Sequence, residues 1–106
     1  AAVSSNNKKL IATASRDKSV KVWDAATGME IMTLFGHTHT VNDVQFSPND
    51  MYLATSSADN TVALWNVAEG KMIWRSQDHD KYSTAVTFSP DGKWIAYGGY
   101  YDSVYV

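Results

Sequence analysis

Residues 36–66 read GHTHTVNDVQFSPNDMYLATSSADNTVALWN, and their order of β-rich runs and turn clusters decides the fold. Val41 to Phe46 is β-rich and runs into Ser47-Pro48-Asn49-Asp50, a turn cluster in which proline presets φ. Met51-Tyr52-Leu53-Ala54-Thr55-Ser56 follows, and Ala58-Asp59-Asn60 breaks it with a second polar turn. Thr61 to Trp65 alternates with the period of two expected of a half-buried strand and stops at Asn66. Beyond it, Ala68-Glu69-Gly70 reads as a tight turn and Lys71 to Arg75 as a fourth strand. Helical periodicity over ten or more residues is found nowhere.

Working outward, the same pattern returns 42 residues away in both directions. Trp23 and Trp65 stand 42 apart, as do Asp17 and Asp59, Thr13 and Thr55, Gly28 and Gly70, and His37 and His79. Val44-x-Phe46-Ser47-Pro48 is repeated as Val86-x-Phe88-Ser89-Pro90. Agreement at so many positions in one register marks an internal repeat, each copy being one supersecondary unit that covers its neighbour. Four short antiparallel strands in about 42 residues make the unit a blade of a β-propeller. The expected architecture is therefore all-β, about two and a half blades of an incomplete ring. The first blade covers about residues 1–35, the second about 37–77, and a partial third about 79–106.

Composition narrows the function. The 106 residues carry a net charge of −2 without any run of Lys or Arg, so no electrostatic footprint for nucleic acid is visible. Lys8-Lys9 reads as a solvated turn. No cysteine is present, which removes disulfides and thiolate metal sites and fits a reducing compartment. Apolar runs fall far short of the roughly 20 residues that span a bilayer, and the first residues lack the pattern of a signal peptide. The expectation is a cytoplasmic protein with no membrane or nucleic-acid partner.

Gly36-His37, Val44-x-Phe46-Ser47-Pro48, Leu53-Ala54-Thr55-Ser56-Ser57-Ala58-Asp59 and Val62-Ala63-Leu64-Trp65-Asn66 together resemble a WD repeat, and the first copy ends in Trp23-Asp24. The resemblance to the WD-repeat family covers essentially the whole chain. It implies a hydrogen-bonded set of four side chains in each blade, which in the second blade is His37, Thr55, Asp59 and Trp65. A carboxylate can accept from an imidazole, an imidazole can bond a hydroxyl, and a buried indole N–H needs an acceptor. The first blade retains Thr13, Asp17 and Trp23, its histidine falling before residue 1. The third has His79, but Tyr97 and Tyr101 stand where Thr and Asp belong, so the set is not expected there.

Thr55, His37 and Asp59 are also the residue types of a nucleophilic triad. They recur once per blade, which a catalytic centre does not, so the structural reading is adopted and no enzyme is expected. His37-x-His39 with Asp43 nearby lacks a third firm ligand, and Asp78-His79-Asp80 reads as a solvated loop, so neither metal nor cofactor is expected. Gly98-Gly99 suggests a bulge rather than a phosphate loop. Trp74 and Trp94 fall outside the repeat, as outer-strand packing or exposed anchors. Tyr97, Tyr100, Tyr101 and Tyr105 form a cluster suited to covering the next blade or to an interface.

The family uses its propellers to hold proteins and peptides on loop faces. By that resemblance the contact residues are Arg16, Ala58 and Tyr100, just before the turn aspartate position, with His39, Thr40, Asn42, Lys81, Tyr82 and Thr84 in loops entering the innermost strands. One arginine and several tyrosines suit a peptide of acidic character. The function expected is a protein–protein interaction scaffold in a longer chain or multi-subunit complex. Two alternatives stand beside it: a propeller packing on other domains of its own chain, and a fragment that associates with itself to complete a ring.

Overall fold

The computed structural model describes residues 2–15, 17–59, 61–75, 86–97 and 100–103, with residues 2, 97 and 100–103 described in backbone only. The described residues form strands and turns and no helix. β1 (Ala2–Ser4), β2 (Leu10–Ala14), β3 (Ser19–Asp24) and β4 (Glu30–Phe35) build the first sheet in the order β1-β2-β3-β4. β5 (Val41–Phe46), β6 (Tyr52–Ser57), β7 (Val62–Asn66) and β8 (Lys71–Arg75) repeat that order in the second. β9 (Val86–Phe88), β10 (Trp94–Tyr97) and β11 (Tyr100–Ser103) form the third. Every pairing is antiparallel. The second run of the quoted stretch starts one residue later than its pattern suggests, at Tyr52, and the third starts at Val62.

One turn is built three times over. Between the first two strands of each sheet a serine hydroxyl donates to a side chain two residues on: Ser5 to Asn7, Ser47 to Asn49 and Ser89 to Asp91. The same three acceptors then take backbone N–H bonds from Lys9, Met51 and Lys93. A residue with positive φ follows each acceptor: Lys8 at 61°, Asp50 at 62° and Gly92 at 73°. At the same end of each complete sheet, Asp24 and Asn66 cap the β3–β4 and β7–β8 turns through backbone N–H groups, and Gly28 and Gly70 supply the positive φ. Asn66 accepts as aspartate does, so its substitution for the Asp of Trp-Asp leaves the turn intact.

Alternation divides each strand between two neighbours. Ala12, Val20, Val22 and Leu34 of the first sheet pack against Val44, Phe46, Leu53, Ala63 and Trp65 of the second. The opposite face of the second sheet, with Tyr52, Ala54, Val62 and Leu64, meets Val86 and Ile95 of the third. β6, covered on both sides, is buried throughout its length. Trp74 packs partly buried against that second cluster, whereas Trp94 is 51% exposed. A register shift at Val22/Trp23 recurs at Leu64/Trp65, one period later, and each bulge lies beside the repeat tryptophan.

Candidate functional site

At one end of the second sheet a chain of four side chains ties three segments together. The Trp65 indole N–H donates to the Thr55 hydroxyl oxygen at 2.9 Å. That oxygen lies 2.7 Å from His37 Nε2, and His37 Nδ1 lies 2.9 Å from an Asp59 carboxylate oxygen. The donors run one way: the Thr55 hydroxyl gives its hydrogen to Nε2, and Nδ1–H gives its hydrogen to the carboxylate, which fixes the tautomer by the needs of the partners. Thr55 is fully buried and His37 only 6% exposed, so water has no place in the chain.

Asp59 holds more than the histidine. It accepts backbone N–H bonds from Thr38 at 3.0 Å and Thr61 at 2.9 Å, and a short bond from the Thr61 hydroxyl. Burial works to raise its carboxyl, but the bonds from Thr61, Thr38 and His37 outweigh it and hold it at about 2. The spacing that brings Thr61 in recurs 42 residues earlier, where the Asp17 carboxylate accepts from Ser19. Thr61 escaped the sequence reading although the aspartate-x-hydroxyl pair in both copies was a usable signal.

In the first sheet, Trp23 donates to Thr13 at 3.1 Å. Asp17 is exposed there, and its carboxyl is held below the usual carboxylate range chiefly by the Ser19 hydroxyl. His79 of the third copy lies outside the described residues, as do the side chains of Tyr97 and Tyr101. Asp78, Asp80, Gly98, Gly99 and Tyr105 fall outside them too.

The same tie shapes a loop surface. Ser57 donates its hydroxyl to the His39 and Thr40 carbonyls, and the Ala58 N–H bonds the Thr40 carbonyl at 2.9 Å. The loop entering β5 and the turn leaving β6 are thereby joined. His39 is exposed on this surface, with Thr40, Asn42 and Ala58 half-buried around it. A register shift between Val41 and Asp43 sets Asn42 in a bulge. Among the expected contact residues, Arg16, Lys81, Tyr82 and Thr84 lie outside the described residues, and Tyr100 is placed on β11 by backbone alone.

Chemically the chain of side chains is closed. The Thr55 oxygen is committed to both His37 and Trp65 and has no exposed surface from which to attack a substrate. The groups weighed as metal ligands are engaged as well: Asp43 accepts from the N–H groups of Val44 and Val86, and His39 Nδ1 accepts from Thr40. Among the described residues no three His, Cys, Asp or Glu side chains cluster as a metal site.

Comparison with known proteins matches the family described as "WD domain, G-beta repeat" to residues 1–24, 28–66 and 70–106. Relatives share single-repeat stretches. The nuclear distribution protein PAC1 of Arthroderma benhamiae is 56% identical over 43 residues, 41% of this chain and 9% of that protein. PAC1 of Debaryomyces hansenii is 48% identical over 46 residues, with the same shares. The Lissencephaly-1 homolog of Heterostelium pallidum is 43% identical over 42 residues, 40% of this chain and 10% of that protein. The matched stretch thus spans only about a tenth of each relative's length.

Proposed function

The chain belongs to the WD domain, G-beta repeat family, and on that footing we propose that it is a protein–protein interaction scaffold and not an enzyme. Each sheet serves as one blade, over about residues 1–35, 37–77 and 79–106. The observation that carries the reading is the division of labour around Asp59. Buried His37, Thr55 and Trp65 set the loop geometry, and the loop so held presents His39 to solvent. A loop fixed before binding loses less entropy when a partner docks.

The contact face on this reading comprises His39, Thr40, Asn42 and Ala58 of the second blade, with Arg16 of the first and Lys81, Tyr82, Thr84 and Tyr100 of the third. Its partner is a protein or peptide with acidic character, met by Arg16 and Lys81. The PAC1 relatives are named for nuclear distribution, and a role in such a process, carried out in the cytoplasm, is the proposal for the protein that carries these repeats. The test is affinity capture from cell extract with Arg16→Glu, His39→Ala and Tyr100→Ala combined, beside Lys9→Glu, which lies on an exposed turn at the other end of the first sheet. Partners lost from the triple variant and kept by Lys9→Glu support the face. An identical partner set from both removes it.

A further inference from the structure

Repeats built on one pattern face a problem of order, because a blade one period out of place would find a similar surface to pack against. The turns between the first two strands differ at the residues that touch across each junction. At the first junction, the carboxylate of Asp50 accepts the Asn6 N–H at 2.7 Å, the Asn7 N–H at 2.9 Å and the Asn6 side-chain amide at 3.0 Å. The same amide also donates to the Ser47 and Pro48 carbonyls, at 3.0 and 3.3 Å. One period on, Pro48 stands at the place of Asn6 and Gly92 at the place of Asp50. Proline has no N–H to give and glycine has no carboxylate to receive one. Their contact is apolar instead, and a Cβ on Gly92 would lie at ordinary van der Waals distance from Pro48, 3.4 Å from Cδ and 3.7 Å from Cγ.

We infer that these two pairs, Asn6-Asn7 with Asp50 and Pro48 with Gly92, are non-interchangeable locks that specify which blade follows which. Crossing them is unfavourable in both directions. Asn6 and Asn7 against a glycine lose their carboxylate, and a proline against Asp50 takes from that carboxylate one backbone donor and the Asn6 side-chain amide. Specificity arises from the difference between matched and mismatched junctions. Asp43 adds a second mark to the other junction: its carboxylate accepts the Val86 N–H at 3.1 Å, and its counterparts one period away are Ala1 and Ala85. Both marking carboxylates belong to the second blade and neither recurs, so the middle blade is told apart from its neighbours on each side.

The test is a double-mutant cycle in the full chain that rewrites the first lock as a copy of the second, with Asn6→Pro, Asp50→Gly and both together. Both replacements suit the backbone, since proline already follows Ser47 and Ser89 in the sister turns and Asp50 has a φ of 62°. Each single substitution is expected to lower the folding equilibrium constant by about ten-fold, the scale of a bond to a charged acceptor. The pair together should cost well short of the product of the two, because a proline then faces a glycine as it does at the second junction. Losses that simply multiply would overturn the inference. Asp50→Gly alone gives an independent reading through hydrogen exchange at Asn6 and Asn7. Exchange there about ten-fold faster, with β6 and β7 unchanged, supports the lock, and unchanged rates at those two amides refute it.

Discussion

Replacing Asp59 by alanine separates a network that organises the blade from a merely decorative one. The carboxylate accepts from His37 Nδ1–H, the Thr38 N–H, and both the N–H and the hydroxyl of Thr61. Thr38 is exposed and its N–H will find water, but His37 and Thr61 are 6% and 3% exposed and will not. A buried donor deprived of its partner costs about 1–3 kcal/mol. The Thr61 hydroxyl, 3.3 Å from His37 Nδ1, can turn to accept from it and recover part of the loss. The balance is a destabilisation of about 2–3 kcal/mol, a substantial share of the roughly 5–15 kcal/mol that holds a domain folded. With a urea dependence of about 1.5 kcal/mol per molar, the midpoint should fall by between about 1 and 2 M. Tryptophan fluorescence follows the transition, Trp65 being 2% exposed in the folded state. Asp17→Ala, made at the exposed counterpart with no described histidine bonded to it, should move the midpoint less. Equal shifts from the two variants, or none from Asp59→Ala, would refute the reasoning.

Acid should reach the same group. The Asp59 carboxyl is lowered from 3.8 to about 2, so its contribution is complete above about 3.8 and disappears as the pH falls through about 2. Urea midpoints taken across that window should fall more steeply for the parent than for Asp59→Asn, and parallel curves would contradict the assignment. Trp65→Phe removes the donor to Thr55 and part of the ring volume in the core, for a loss of about 1–3 kcal/mol by chemical denaturation. Gly36→Ala drives a Cβ into Met72 Cε and sets it 3.1 Å from Trp65 Cη2. The methionine can swing aside and the buried indole cannot, so a cost of about 1–3 kcal/mol is expected, eased but not abolished when Met72→Ala is added.

The repeat made most of the architecture legible, because a 42-residue period places each residue in two copies at once. Strand order, the turns and the all-β class followed from alternation and from Pro, Gly and Asn positions. What stayed hidden depends on contact across space. Thr61 is the exception, since the aspartate-x-hydroxyl pair it makes with Asp59 recurs as Asp17 and Ser19 and was readable in the repeat. Trp74 and Trp94 could not be ranked by pattern, since outer-strand burial depends on how far the neighbouring sheet reaches. Asp43 drew attention as a metal ligand, and the fold spends it on backbone N–H groups instead. Asp50 passed as one more residue of a turn cluster. Its carboxylate does its work 44 residues away in sequence, beyond anything local spacing could indicate.

Residues that recur and residues that do not therefore answer different questions about the chain. Ser5, Ser47 and Ser89 build the same turn three times, and Thr13–Trp23 and Thr55–Trp65 make the same bond twice. Such positions make a blade, and being shared they cannot say what one blade contributes that another does not. Selectivity has to come from positions where the copies diverge. At a junction, divergence sets blade order, as at Asn6, Pro48, Asp50 and Gly92. On a loop, it is the proposed source of partner choice, as at the pre-aspartate position, where Arg16, Ala58 and Tyr100 replace one another. Exchanging Ala58 for arginine would copy the first blade's residue onto the second without touching the buried network. Binding that changes while the urea midpoint holds would place partner choice in these divergent loop residues; a lowered midpoint would tie the position to the blade's own stability.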